Sequence, residues 1–135
     1  MSRSLRVLFL CVANSARSLM AEALLRHVGG ERYQVFSAGS QPTHADPRAL
    51  AALQQAGIDS TGLVSKSIDQ FAGDHFDYVI TLCDKQALEC AALPLADEVL
   101  AWHFEDPAGT TQPAAFRQTL QALHERIKLF VLING

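Results

Sequence analysis

Basic charge is scarce in this chain. Lysines and arginines number 11 against 14 aspartates and glutamates, which leaves a formal net charge of −3 over 135 residues. Such a balance offers no electrostatic footprint for nucleic acid or for an anionic membrane surface. Any anion site must therefore be local, made by oriented groups and not by bulk charge. Long apolar runs are missing as well. The stretch from Leu5 to Val12 is apolar apart from Arg6, but Asn14, Ser15, Arg17 and Ser18 soon interrupt it. A membrane helix needs roughly 18 apolar residues, and no signal peptide opens the chain, so a cytoplasmic location is expected. Cysteine is sparse: only Cys11, Cys83 and Cys90 occur. An odd number of thiols without a secretion signal argues against a structural disulfide framework and for free, chemically usable thiols. The histidines are scattered and are read as surface residues. Cys83 and Cys90 lack a second ligand pair at a zinc-like spacing, so no metal site is expected.

What remains is an ordinary globular composition, 49% hydrophobic and 19% charged with a mean hydropathy of +0.10. The length suits one domain over residues 1–135, large enough to bury a core without staples. Arg6 to Leu10 is a short apolar run, expected to be a fully buried strand. A polar loop follows, then a helix from Ser18 to Val28 with Leu19, Met20, Ala23, Leu24 and Val28 on its apolar face, stopped by Gly29 and Gly30. Tyr33 to Ser37 is expected to be a second strand. A turn at Gly39 to Pro42 leads to a second helix, begun by Asp46 and Pro47, with Ala49, Leu50, Leu53 and Ala56 inward and Gly57 at its end. Ser60 to Phe71 is expected to be loop with a short helix. Phe76 to Leu82 is the third predicted strand, Gln86 to Ala92 a short helix, Glu98 to His103 the fourth strand, and Pro113 to Leu132 a long closing helix. Strands alternating with helices predict an α/β fold: a four-stranded parallel sheet with helices on both faces in three layers. Ligands of such sheets bind at the carboxyl ends of strands. That rim carries Cys11, Cys83 and Asp106.

The segment Cys11-Val12-Ala13-Asn14-Ser15-Ala16-Arg17 joins the first strand to the first helix. Backbone N–H groups at a helix start lack helical partners, and the helix dipole adds partial positive charge, so the loop is a candidate oxyanion cradle. Arg17 closes it with a planar fork that can grip two oxygens of a tetrahedral anion. The same field favours the thiolate of Cys11, which is the nucleophilic form. Ser18 can donate to that sulfur. Asn14 suits a left-handed backbone position, which helps the N–H groups converge. A cysteine ending a strand is also compatible with plain burial; it is the Cys-x5-Arg-Ser spacing between strand and helix that points to chemistry.

Asp106 follows the fourth predicted strand in Trp102-His103-Phe104-Glu105-Asp106-Pro107. Aromatic neighbours favour its neutral form, which can donate a proton to a leaving oxygen. It can also simply cap the turn before Pro107. Glu105 is the weaker candidate acid because it precedes the Asp-Pro turn. Cys83 sits just after the third strand and Cys90 seven residues on. Once Cys11 is bonded to a reducible atom, Cys83 can attack Cys11 and Cys90 can attack Cys83, carrying a disulfide outward to an external reductant.

These segments resemble the low-molecular-weight phosphatase superfamily and, within it, the thioredoxin-coupled arsenate reductases. The resemblance runs from Val7 to about Gly109. It rests on Phe9-Leu10-Cys11, Asn14-Ser15, Arg17-Ser18, Met20-Ala21-Glu22, Ser37-Ala38-Gly39, Gly57-Ile58-Asp59, Thr81-Leu82-Cys83, Cys90 and Asp106-Pro107-Ala108. It implies attack of Cys11 on arsenate with Asp106 as general acid, a Cys11, Cys83, Cys90 relay, and thioredoxin as the external reductant with no bound cofactor. Two departures matter. Many relatives carry a further cysteine where this chain has Ala16. Some bind potassium beside the loop asparagine through a glutamate, a serine and an aspartate. Asn14, Glu22 and Ser37 match that set, but Lys66 stands in place of the aspartate. The Lys66 ammonium is therefore expected to replace the potassium and order Asn14, unless it is a solvated surface lysine. Two other readings compete. A phosphotyrosine phosphatase would need Cys11, Arg17 and Asp106 but neither Cys83 nor Cys90, and Ala108-Gly109 supplies no aromatic grip for a tyrosyl ring. A non-catalytic oxyanion or redox sensor would need no acid.

Overall fold

The computed structural model describes residues 4–14, 16–82, 95–102, 104, 107 and 114–134. Seven principal elements follow one another: β1 (Leu5–Cys11), α1 (Arg17–Gly29), β2 (Tyr33–Gly39), α2 (Pro47–Gln55), β3 (His75–Thr81), β4 (Leu95–Ala101) and α3 (Ala115–Asn134). The strands form one sheet in the order β2-β1-β3-β4, every pair parallel. β1 lies between two neighbours, which is why its sequence is a nearly unbroken apolar run: both faces are covered. Its side chains alternate between two cores. Val7 and Phe9 pack with residues of α1, α2 and α3. Leu8 and Leu10 pack on the opposite face with Phe76, Val79 and the 3-10 turn Ile68–Phe71.

α1 is buried without a break from Ser18 to Leu25, because β1, β2 and α3 surround its first turns. It ends where Gly30 takes φ 59°. Gly29 before it lies against Tyr33, where a Cβ would stand 2.3 Å from the ring. α2 starts as expected from Asp46, whose carboxylate accepts from the Arg48 N–H at 2.9 Å, with Pro47 in the first turn. Its inner face is corrected in one position. Ala52, not Ala56, joins Ala49 and Leu53 in the core, and Ala56 is exposed at the helix end.

Several boundaries also move by one to three residues. β4 was expected to begin at Glu98 but begins at Leu95. Its register is imposed by β3, with His75 opposite Leu95, so Ala96 and Asp97 are extended despite their weak strand preference. α3 runs on to Asn134, whose side chain accepts from the Tyr78 hydroxyl at 2.7 Å and donates back to the Phe130 carbonyl at 2.8 Å. A tertiary bond thus extends the last turn. The expected helix from Gln86 to Ala92 lies outside the described residues. No described helix is long and apolar enough to cross a membrane.

Candidate active site

β1 is followed in sequence by β2 on one side and paired with β3 on the other, so the crevice at their carboxyl ends is the switch point of the sheet. The rim is stitched together there. Leu82 N–H donates to Leu10 at 2.9 Å, and Phe104 N–H donates to Leu82 at 3.1 Å. Cys11 is the last residue of β1 and is 2% exposed.

A strap from the β2–α2 connection shapes the loop after Cys11. The Val12 carbonyl accepts from Gln41 N–H at 2.8 Å, and the Ala13 carbonyl accepts from Thr43 N–H at 3.1 Å and from the Ser65 hydroxyl at 2.9 Å. No described peptide is cis, and in a trans peptide the C=O and N–H point in opposite directions. Holding those two carbonyls against the strap therefore turns the N–H groups of Ala13 and Asn14 away from it. Asn14 takes the predicted left-handed conformation, with φ 49°. Gly39 permits the approach. A Cβ there would stand 2.4 Å from the Val12 oxygen and 2.9 Å from the Asn14 nitrogen, distances no backbone tolerates. At the end of the loop Ala16 caps α1 with no side-chain bond, so the helix N-terminus keeps its donors for the loop.

A directed chain of hydrogen bonds reaches the sulfur. Lys66 N–H donates to Asn14 Oδ1 at 2.7 Å, Asn14 Nδ2 donates to Ser18 Oγ at 2.6 Å, and Ser18 Oγ lies 2.9 Å from Cys11 Sγ. Once Lys66 fixes the amide, its nitrogen faces Ser18. Ser18 then accepts from Asn14, and its own hydrogen can be given to the sulfur. Asn14 and Ser18 are wholly buried, so these bonds are not shared with solvent. Arg17 points across the rim: Nη1 donates to the Phe104 carbonyl at 2.9 Å and, more weakly, to that of Leu82 at 3.5 Å.

Beneath the loop lies Glu22, 2% exposed. Its carboxylate accepts from the Ser37 hydroxyl at 2.5 Å and pairs with Arg26 at 2.6 Å and with the Lys66 ammonium at 3.6 Å. The expectation for Lys66 is corrected in its details. The backbone N–H, not the ammonium, orders Asn14, while the ammonium meets Glu22 and donates to the Val64 carbonyl at 2.8 Å. With two cations already on the Glu22 carboxylate, the residues present do not fit an additional potassium ion.

Of the residues singled out in the sequence, Cys11, Val12, Ala13, Asn14, Ala16, Arg17, Ser18, Glu22, Ser37 and Lys66 gather at this rim. Ser15, Cys83, Cys90 and Asp106 lie outside the described residues, although Leu82, directly before Cys83, is held at the rim. Sequence reasoning missed the strap. Gln41, Thr43 and Ser65 act through bonds between distant segments, and Gly39 announces its role only by lacking a side chain.

The low molecular weight phosphotyrosine protein phosphatase profile matches residues 6–132, and the chain belongs to that family. Within it the chain is similar to arsenate reductases. It is 38% identical over 129 residues to the arsenate reductase of Halalkalibacterium halodurans, covering 92% of this chain and 93% of that protein. A solved arsenate reductase in the phosphate-binding state superposes with a TM-score of 0.80 at 29% identity, covering 96% and 98% of the two chains. The thioredoxin-dependent arsenate reductase of Corynebacterium glutamicum superposes at 0.75 with 27% identity, covering 99% of this chain and 65% of that one.

Proposed function

We propose that this protein reduces arsenate to arsenite with electrons from thioredoxin. The observation that carries the reading is the donor chain from Lys66 through Asn14 and Ser18 to Cys11 Sγ, at the mouth of a loop whose carbonyls are tied outward. A thiolate held there faces the N–H groups of the loop and the Arg17 guanidinium, which can together hold a tetrahedral oxyanion for in-line attack. Cys11 forms an S–As bond, and one arsenate oxygen leaves as water after receiving a proton from Asp106. Cys83 attacks Cys11 sulfur. The S–As bond breaks with its electron pair on arsenic, which leaves as arsenite, and a Cys11–Cys83 disulfide forms. Cys90 attacks Cys83 and frees Cys11. The dithiol of thioredoxin then reduces the Cys83–Cys90 bond, supplying the two electrons. Arg17 ties the carbonyls of Leu82 and Phe104 and so connects the cysteine loop to the segments that lead to Cys83 and Asp106.

The donors supplied by Val12, Ala13, Asn14, Ser15 and Ala16 are assigned to oxyanion binding, and Glu22, Ser37 and Lys66 to support of the loop. Lys66 stands in for a monovalent cation against Glu22, so wild-type activity is expected to be insensitive to potassium. Clear potassium activation would oppose that role.

The decisive test is a thioredoxin- and NADPH-coupled arsenate assay on wild type, Cys11→Ser, Cys83→Ser and Cys90→Ser. All three variants are expected to lose turnover, with only Cys11→Ser losing attack on the oxyanion. Full activity in Cys83→Ser or Cys90→Ser would sink the relay. The family itself favours a second reading, hydrolysis of a phosphomonoester through a Cys11 phosphoenzyme. Phosphomonoester turnover that survives loss of Cys83 and Cys90, with no arsenate reduction in the wild type, is its signature.

A further inference from the structure

We infer that Ser65 is a positioning residue of the oxyanion cradle, a role that rests on the reading of the loop given above. Its hydroxyl is the only side chain among the described residues that bonds a carbonyl of the segment from Val12 to Asn14. It donates to Ala13 O at 2.9 Å and accepts from Thr43 N–H at 3.1 Å. Thr43 N–H reaches Ala13 O as well, at 3.1 Å, so hydroxyl, amide and carbonyl form a closed triangle. The Ala13–Asn14 peptide has one remaining rotational freedom, about its flanking Cα bonds. Two donors on its oxygen fix that rotation, and with it the direction of the Asn14 N–H. The next residue grips the same unit from its side chain, since Lys66 N–H holds Asn14 Oδ1 at 2.7 Å. Lys66 O in turn accepts from Gly39 N–H at 2.9 Å, which anchors the bracket to β2. Ser65 and Lys66 thus hold adjacent loop residues, the Ala13 carbonyl and the Asn14 side chain, each from 52 positions away. The single hydroxyl hydrogen of Ser65 goes to the Ala13 carbonyl and not to the sulfur. Its effect is on where a donor points.

The test compares Ser65→Ala with Ser67→Ala. Ser67 lies in the same segment, but among the described residues its hydroxyl bonds Asp69 N–H alone, accepting at 3.1 Å. Binding of inorganic phosphate to each reduced protein is measured by titration calorimetry, alongside KM and kcat for arsenate and the melting temperature. Ser65→Ala is expected to weaken phosphate about five- to tenfold, the loss of one hydrogen bond. Arsenate KM should rise more than kcat falls, and the melting temperature should change little. Ser67→Ala should bind phosphate as the wild type does, and Ser65→Thr, which keeps the hydroxyl, should recover most of the affinity. If Ser65→Ala is too unstable to titrate, Ser65→Cys, a weaker donor of similar size, must show an intermediate loss. Wild-type phosphate affinity in Ser65→Ala, or an equal loss in Ser67→Ala, overturns the inference and leaves the proposed function standing. A wild type that neither binds phosphate nor reduces arsenate removes the function and the inference together.

Discussion

β1 and β4 are both seven-residue strands of the same parallel sheet, yet they are held in place by different forces. β1 has a partner on each side and is wholly buried from Val7 to Cys11. Among the described strands β4 pairs only with β3, and its Leu95 and Val99 are 67% and 55% exposed. Past the end of β1, order comes from directional polar bonds between distant segments: the strap on Val12 and Ala13, and the chain ending on Cys11. Beside β4, order comes from aromatic packing. Phe130 of α3 meets Tyr78 edge-on at 5.1 Å and Trp102 at 5.8 Å, and lies tilted 5.9 Å from Tyr33. Stability and binding should therefore be separable by substitution. Cys11, the nucleophile proposed above, ends the strand whose backbone is fixed from both sides, which is where a loop can be held to the tolerance that oxyanion recognition needs.

The largest expected effect falls on the aromatic side. Phe130→Ala should cost about 3–5 kcal/mol of stability in urea unfolding, while the protein that remains folded binds phosphate as before. A proportional loss of phosphate affinity would merge the two regions. On the loop side, Gly39→Ala forces a Cβ onto the Val12 carbonyl. It should cost about 1–3 kcal/mol and abolish measurable phosphate binding, and retained binding would show that the close approach does not shape the cradle. Lys66→Met removes the ammonium from Glu22 but keeps the backbone bond to Asn14. Its cost should lie near 1–3 kcal/mol, between exposed and buried ion pairs. Potassium chloride should raise the melting temperature of this variant more than sodium chloride does, and should not discriminate in the wild type.

A smaller effect concerns His124 of α3, which burial first, and then Lys128 and His27, hold below the ordinary value of 6.5. The unfolded chain then binds the proton more readily than the folded one. The contribution of His124 is complete above about pH 6.5 and declines as the pH falls through the lower folded value. His124→Gln should lose less melting temperature than wild type between about pH 7.5 and 5, and parallel curves would remove His124 from the acid response. The smallest effect is expected at Leu132, 77% exposed, where a change to Gln should stay within about 0.5 kcal/mol.

The two regions also differed in how openly the sequence displayed them. β1 and α1 could be read because burial on both faces leaves a continuous apolar run and then a helical stripe, and Cys11, Asn14, Arg17 and Ser18 are near enough in sequence to form one pattern. Glu22, Ser37 and Lys66 were reached through resemblance, and the backbone bond from Lys66 to Asn14 left no trace in the identity of residue 66. β4 was placed three residues late because its start is set by pairing with β3 and not by its own composition. Gly39 and Ser65 stayed silent for a related reason: a glycine in a turn and a serine in a loop are commonplace, and their meaning comes from a segment far away.

That distance has a consequence for the making of the protein. The chain emerges from the ribosome amino end first, so Cys11 and its loop are exposed to the cell long before Ser65 and Lys66 have been synthesised. Until those residues and the strap close on Ala13 and Asn14, the peptide planes of the loop are free to turn. The loop beside the Cys11 thiol therefore takes its shape only after about half of the polypeptide has been translated and has collapsed around it. A fragment ending before residue 65 would carry the whole Cys-x5-Arg-Ser motif and yet lack the brackets that give that motif its shape.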